Sequence, residues 1–189
     1  MSLPRLGLDT ATPCLSLALW WPLADRVARE HRRVDRRLAA ELAPAIAAFL
    51  RAHGVTPGDL GGIGVGVGPG SYTGARVGVA WALGAGRALG IPVVGGDTLA
   101  ALAVALIPPG GHGQVAVAAR RGEAWCGTWS VGSDGQPRET AARRSCPRAV
   151  LPDAARTSLD RAPDASWHAR SVDHPDALPP RVRYHDRAA

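Results

Sequence analysis

The chain has 189 residues, enough to bury roughly 70% of its unfolded surface in one large domain or two small ones. Apolar residues make up 46% and charged residues 20%, which excludes a disordered chain, and no run reaches the ~18 apolar residues of a membrane span. The net charge of +6 comes from arginine alone, because the sequence has no lysine; a Walker A loop, a Schiff-base lysine and a pyridoxal phosphate site are therefore excluded.

Residues 3–8 read as a short buried strand ending in the polar turn Asp9-Thr10-Ala11-Thr12-Pro13. Asp9 also interrupts any signal-peptide pattern early, so a cytoplasmic location with no membrane association is expected. Residues 14–21 give a second strand, closed by Pro22, and residues 26–32 a third, with Val27 among its charges. The three lie close enough to form an antiparallel meander. Residues 39–53 carry Leu42, Ile46, Phe49 and Leu50 at helical spacing, with Gly54 as the stop and Pro44 as a start or a bend. Ile63, Val65 and Val67 alternate with glycines, the pattern of a strand pressed closely by its neighbours. A turn over residues 68–74 leads into a long Ala- and Gly-rich helix, residues 73–89, which stops at Gly90. Residues 91–94 are a short strand, and Asp97 caps a helix over residues 98–106.

Residues 108–113 have the composition of a linker, after which the pattern restarts. Residues 115–119 and 124–131 are strands around the turn Arg120-Arg121-Gly122. A hairpin turn at Ser133-Asp134-Gly135 leads to a third strand at 138–143 and a short helix at 148–159. Each half thus opens with a three-strand meander and continues into a helix. This predicts two related α/β lobes, residues 1–106 and a smaller 107–189, with no element assigned beyond Pro163.

Several motifs bear on chemistry. The glycine-rich segment fits neither a dinucleotide fingerprint nor a nucleophile elbow, because Pro69, Ser71 and Thr73 fall where glycines are needed and Pro69 and Thr73 flank Ser71. Two readings stand open for it: a phosphate cradle at Gly70 and Ser71 where the helix begins, or a tight turn for close packing. Asp9, Thr10 and Thr12 are either metal and phosphate ligands of a nucleotide-cleaving lobe or an ordinary Asx/Thr turn. Gly74, Gly78, Ala82 and Gly86 recur every four residues, a ridge without bulk against which a sheet, a helix or another chain can pack. Arginine clusters at residues 26–37 and 138–161 are interleaved with acids and read as a solvated face or as a patch for nucleic acid; no aromatic stacking platform is expected beside them. Cys14, Cys126 and Cys146 read as packing thiols of a reducing compartment. His168 and His174, six apart, do not fit a helical metal pair, and no metal site is expected.

Three segments carry a resemblance. Residues 6–19 (LGLDTATPCLSLAL), 66–78 (GVGPGSYTGARVG) and 90–94 (GIPVV) resemble the bacterial TsaB, or YeaZ, family of threonylcarbamoyladenosine biosynthesis proteins. The resemblance is strong over residues 3–106 and thin beyond residue 123. It implies an actin-like ATPase / RNase H-like fold of two lobes. It further implies a non-catalytic scaffold that pairs with TsaD, works with the ATPase TsaE, reaches tRNA through the complex, and forms a homodimer when alone. The candidate nucleotide contacts are then Asp9, Thr10, Thr12, Gly70 and Ser71, with ATP or ADP at the complex interface as an open question and no cofactor otherwise. The candidate partner face is Gly74, Gly78, Ala82, Gly86 and Ile46. One departure matters: the strand over residues 115–119 usually ends in Asp in this family and here ends in Ala119. The alternatives are an autonomous nucleotide hydrolase or kinase of the actin-like class and, more distantly, a metallopeptidase.

Overall fold

The computed structural model describes residues 2–34, 37–153, 155, 158–174 and 177–182. Strands β1 (Arg5–Asp9), β2 (Cys14–Trp21) and β3 (Arg26–Arg33) form the expected antiparallel meander. Helix α1 (Leu38–Ala52), strand β4 (Gly62–Gly66), helix α2 (Tyr72–Leu89) and strand β5 (Val93–Gly96) follow. Both β4 and β5 join in parallel, giving a mixed sheet in the order β3-β2-β1-β4-β5. This is the RNase H-like arrangement of an actin-like lobe. Helix α3 (Thr98–Leu106) leads to a second, antiparallel sheet of β6 (His112–Ala118), β7 (Glu123–Val131) and β8 (Pro137–Pro147), in the order β6-β7-β8. Helix α4 (Ala165–Ser171) closes the described chain. Within the expected helix at 148–159, Asp153 and Ala155 are helical between 3-10 turns at Arg148–Val150 and Ser158–Asp160, and residues 154, 156 and 157 lie outside the described residues.

Alternation in β2 explains the main layer. Leu15, Leu17 and Leu19 point to one face and join Leu42, Ile46, Phe49 and Leu50 of α1 in the first core. Pro44 neither starts nor ends α1; it sits inside the helix on the exposed side. Ile63 and Val65 of β4 face the same core, while Gly62, Gly64 and Gly66 face the other way. Against that second face lies α4: a Cβ at Gly7 would overlap the Ala165 carbonyl, and one at Gly64 the His168 carbonyl. The strand glycines therefore let a helix backbone rest directly on the sheet.

The two helices flanking the second sheet are exchanged relative to the expected division at residue 106. Leu99, Leu102 and Ala103 of α3 form one core with Val115, Val117, Trp129 and Val131 of the second sheet. The later helix α4 returns to β1, β2 and β4 of the first. Sheet membership follows the sequence boundary; helix packing crosses it.

The small ridge of α2 also packs within the chain. Gly74, Gly78, Ala82 and Gly86 are buried, and a Cβ on Gly74 or Gly78 would strike Thr10, while one on Gly86 would strike Val93. Ile46 is buried in the α1 core. The candidate partner face is thus buried within the chain, and the close approach that the α2 residues permit here is to the chain's own first sheet and its β1–β2 turn. Gly84 has nothing within 4 Å of a built Cβ, so packing does not explain it.

Candidate functional site

The β1–β2 turn, the N-terminus of α2, the start of α1 and the end of β6 surround a cleft of about 960 Å³. Thr10, Thr12, Gly70 and Ser71, four of the five candidate nucleotide contacts, line it, and Ala119 faces them from the end of β6 with Arg120 beside it. Most of these groups are occupied in holding the cleft's walls. The Thr10 hydroxyl donates to the Gly74 carbonyl at 2.8 Å and so fixes α2 on the turn. The Thr12 hydroxyl bonds the backbone of Cys14, donating to its carbonyl at 3.0 Å and accepting from its N–H at 3.2 Å. Ser71 is the N-cap of α2, its hydroxyl accepting from the Gly74 N–H at 3.1 Å. The Ser71 N–H donates to the Ala11 carbonyl at 2.6 Å, so turn and helix are tied at both ends.

Asp9 does not line the cleft. Its carboxylate is buried beneath it, with Oδ1 accepting from the Ala11 N–H at 2.8 Å. Oδ2 accepts from the Thr98 hydroxyl and lies 2.8 Å from His168 Nε2. The other nitrogen of that ring, Nδ1, has no partner among the described residues, so the geometry assigns the proton to Nε2. His168, considered above only beside His174, has nothing in its spacing that ties it to a residue 159 positions away.

An actin-like ATPase cleft implies a divalent metal held by carboxylates from both lobes. The donor set here does not fit one. Asp9 has spent its oxygens inside the protein, the facing position is the methyl of Ala119, and among the described residues no carboxylate lines the cleft. Among the described residues no three His, Cys, Asp or Glu side chains converge as metal ligands.

Electrostatics elsewhere are structural. Asp97 caps α3 as expected, accepting from the Leu99 and Ala100 N–H groups, and also pairs with Arg143 of β8. Burial opposes the Arg143 charge, but Glu139 and Asp97 raise its pKa above the ordinary arginine range. Burial and the neighbouring Cys146 push the Cys126 thiol up, which suits a packing thiol. Aromatic rings do lie beside arginines of both clusters: Arg26 lies 3.7 Å from the Trp21 ring centroid, and Arg143 lies 5.6 Å from that of Trp129.

Residues 30–133 match the family model described as TsaD, tRNA N6-adenosine threonylcarbamoyltransferase, which is more than half of the chain. The chain belongs to this family. Its resemblance is to the TsaB/YeaZ members. It is 30% identical over 123 residues to the tRNA threonylcarbamoyladenosine biosynthesis protein TsaB of Escherichia coli, covering 64% of this chain and 52% of that one. It is 39% identical over 131 residues to an uncharacterized protein of Mycobacterium tuberculosis, covering 69% of this chain and 59% of that one. The chain thus spans little more than half the length of these relatives. YeaZ from Pseudomonas aeruginosa superposes with a TM-score of 0.75 at 25% identity, covering 98% of this chain and 100% of that one. A second structure from Pseudomonas aeruginosa, described as similar to peptidase YEAZ, gives 0.78 at 25% identity, covering 97% and 100%. The family's RNase H-like/actin-like fold is therefore the fold of this chain.

Proposed function

We propose that this chain is a non-catalytic scaffold partner of TsaD in the threonylcarbamoyladenosine modification of tRNA. The observation that carries it is the sealed carboxylate: Asp9 is bonded on both oxygens inside the protein, and Ala119 stands where an ATPase needs a second acid. Family membership supplies the pathway; the cleft's chemistry supplies the absence of catalysis. In this reading the chain is cytoplasmic, pairs with TsaD, meets TsaE and tRNA through that complex, and pairs with a second copy when TsaD is missing. The partner face moves to the outer side of α2, where Tyr72 and Leu83 are exposed. An autonomous nucleotide hydrolase would need a carboxylate in the cleft, and among the described residues none that lines it carries one.

The test is co-purification with TsaD, followed by assay of tRNA modification with each protein alone and together. Retention of TsaD, with modification only when both are present, supports the scaffold. A chain that ignores TsaD, or that turns over ATP by itself, contradicts it.

A further inference from the structure

The first sheet carries a second cavity, on the face opposite α1 and apart from the cleft. It measures about 400 Å³ and lies between β2, β3, the C-terminal end of α3 and residues 161–165. Alternation decides which side chains reach it. Leu15, Leu17 and Leu19 point at α1, so Ser16 points the other way. His31 and Arg29 pair across the strands with Ser16 and Ala18 and share that face, while Glu30 pairs with Leu17 and turns away.

The Ser16 hydroxyl is the anomaly. The residue is 2% exposed, and its Oγ has no hydrogen-bond partner among the described residues. A buried hydroxyl without a partner is destabilising, and alanine, as at Ala18 on the same face, would pack here without that cost. The cavity that Ser16 lines has a polar rim and an apolar wall. Arg29, His31 and Arg161 stand at the rim, and Val104, Leu106 and Pro163 form the wall. Of the two acids among the described lining residues, Glu30 pairs with Arg32 on the other face. Asp164 accepts from Arg29 at 3.0 Å and from the Ser166 N–H at 2.9 Å. Positive side chains therefore exceed negative ones in the described lining. We propose that this cavity binds a small carboxylate with an aliphatic body.

In this arrangement the Ser16 hydroxyl donates to one carboxylate oxygen, the rim guanidinium of Arg161 faces the other, and the aliphatic body lies on Val104, Leu106 and Pro163. A single negative charge matches the single surplus positive one; a phosphate dianion would need more donors than the cavity offers. The walls are already set. The Asp164 N–H donates to the Ala101 carbonyl at 3.0 Å and ties residues 161–165 to α3, so little ordering is required when a ligand enters. At about 400 Å³ the cavity suits a ligand of a few heavy atoms. The site does not depend on the partnership proposed above.

The experiment is a titration of the whole chain with sodium isobutyrate at constant ionic strength, followed by 1H–15N NMR. Isobutyramide, which has the same shape without the charge, is the control. The expected result is saturable shifts of the amides at residues 104–106 and 161–165, with a dissociation constant below about 10 mM and at least about ten-fold weaker binding of isobutyramide. Ser16→Ala should bind isobutyrate about ten-fold more weakly and melt at or above the parent, because its hydroxyl has no protein partner to lose. Arg161→Gln, at an exposed position, should weaken binding with an unchanged melt and tests the site from the rim. No saturation by about 50 mM, equal binding of isobutyramide, or unchanged affinity in both variants would overturn the proposal. So would a lowered melt of Ser16→Ala, which would assign the hydroxyl to a structural buried water instead of a ligand.

Discussion

Asp9 and His168 stand 159 residues apart in the chain and meet at 2.8 Å, both side chains wholly shielded from solvent. The contact joins the first turn of the fold to its last described helix. It withdraws from the cleft the one carboxylate that an actin-like ATPase would use there. It also gives α4 its only polar hold on the strand ends beneath the cleft that the described residues record, with Gly7 and Gly64 letting the helix approach.

Removing one partner should therefore be felt as stability. His168→Ala leaves Asp9 short of a buried hydrogen-bond partner and opens a gap under α4. The expected cost is about 2–4 kcal/mol, read from the denaturant midpoint at unchanged slope. A change within ~0.5 kcal/mol, the range of an ordinary surface substitution, would mean that the contact carries no weight.

The α2 ridge separates packing from partnering. Gly78→Leu and Ala82→Leu force side chains into Thr10 and the sheet, so each should lower the melting temperature, with an overpacking cost of about 1–3 kcal/mol or more. Gly84→Ala faces open space and should stabilise α2 by about 0.5–1 kcal/mol through helix propensity. If the leucine variants melt normally, the ridge is not the internal seam described above.

Acid should loosen α4 first. Asp164 caps that helix and accepts from Arg29 at 3.0 Å and from the Ser166 N–H at 2.9 Å. Burial pushes its pKa up, but these donors outweigh it and hold the carboxyl below its ordinary value. A depressed folded pKa means stability that is fully present above the unfolded value of about 4 and is lost as pH falls through the folded one. The stability gap between the parent and Asp164→Asn should be constant above about pH 4 and close below it. A gap that stays flat through that range would show that the charge on Asp164 contributes nothing.

The first sheet was legible because its signals are local. The apolar run Cys14–Trp21 announces a strand, Pro22 ends it, and Asp97 names the start of α3 by capping it. The glycines of β4 declared a close neighbour, though not which one. Identity of the neighbour is what one-dimensional patterns lack. Periodicity shows that Leu99 and Leu102 are buried; only the fold shows that they are buried against Val115 and Trp129 rather than the sheet before them. For the same reason the α2 ridge read equally as an outer or inner seam. Helix α4, seven residues long, is too short for a hydrophobic period to be read, and so the partner of His168 could not be named. Asp9 read either as a ligand or as an Asx turn; its Oδ1 makes that turn by accepting from the Ala11 N–H, while the fold brings Thr98 and His168, which no local pattern names, to its Oδ2.

A scaffold that does no chemistry on nucleotides leaves ATP intact, and ATP turnover is the measurement that decides it. The purified chain with ATP and Mg2+ should show no turnover above the uncatalysed background. It should also show no change on Asp9→Asn beyond any shift in its melt. A Mg2+-dependent rate approaching ~1 per second, abolished by Asp9→Asn in a variant that still melts as the parent does, would contradict the account.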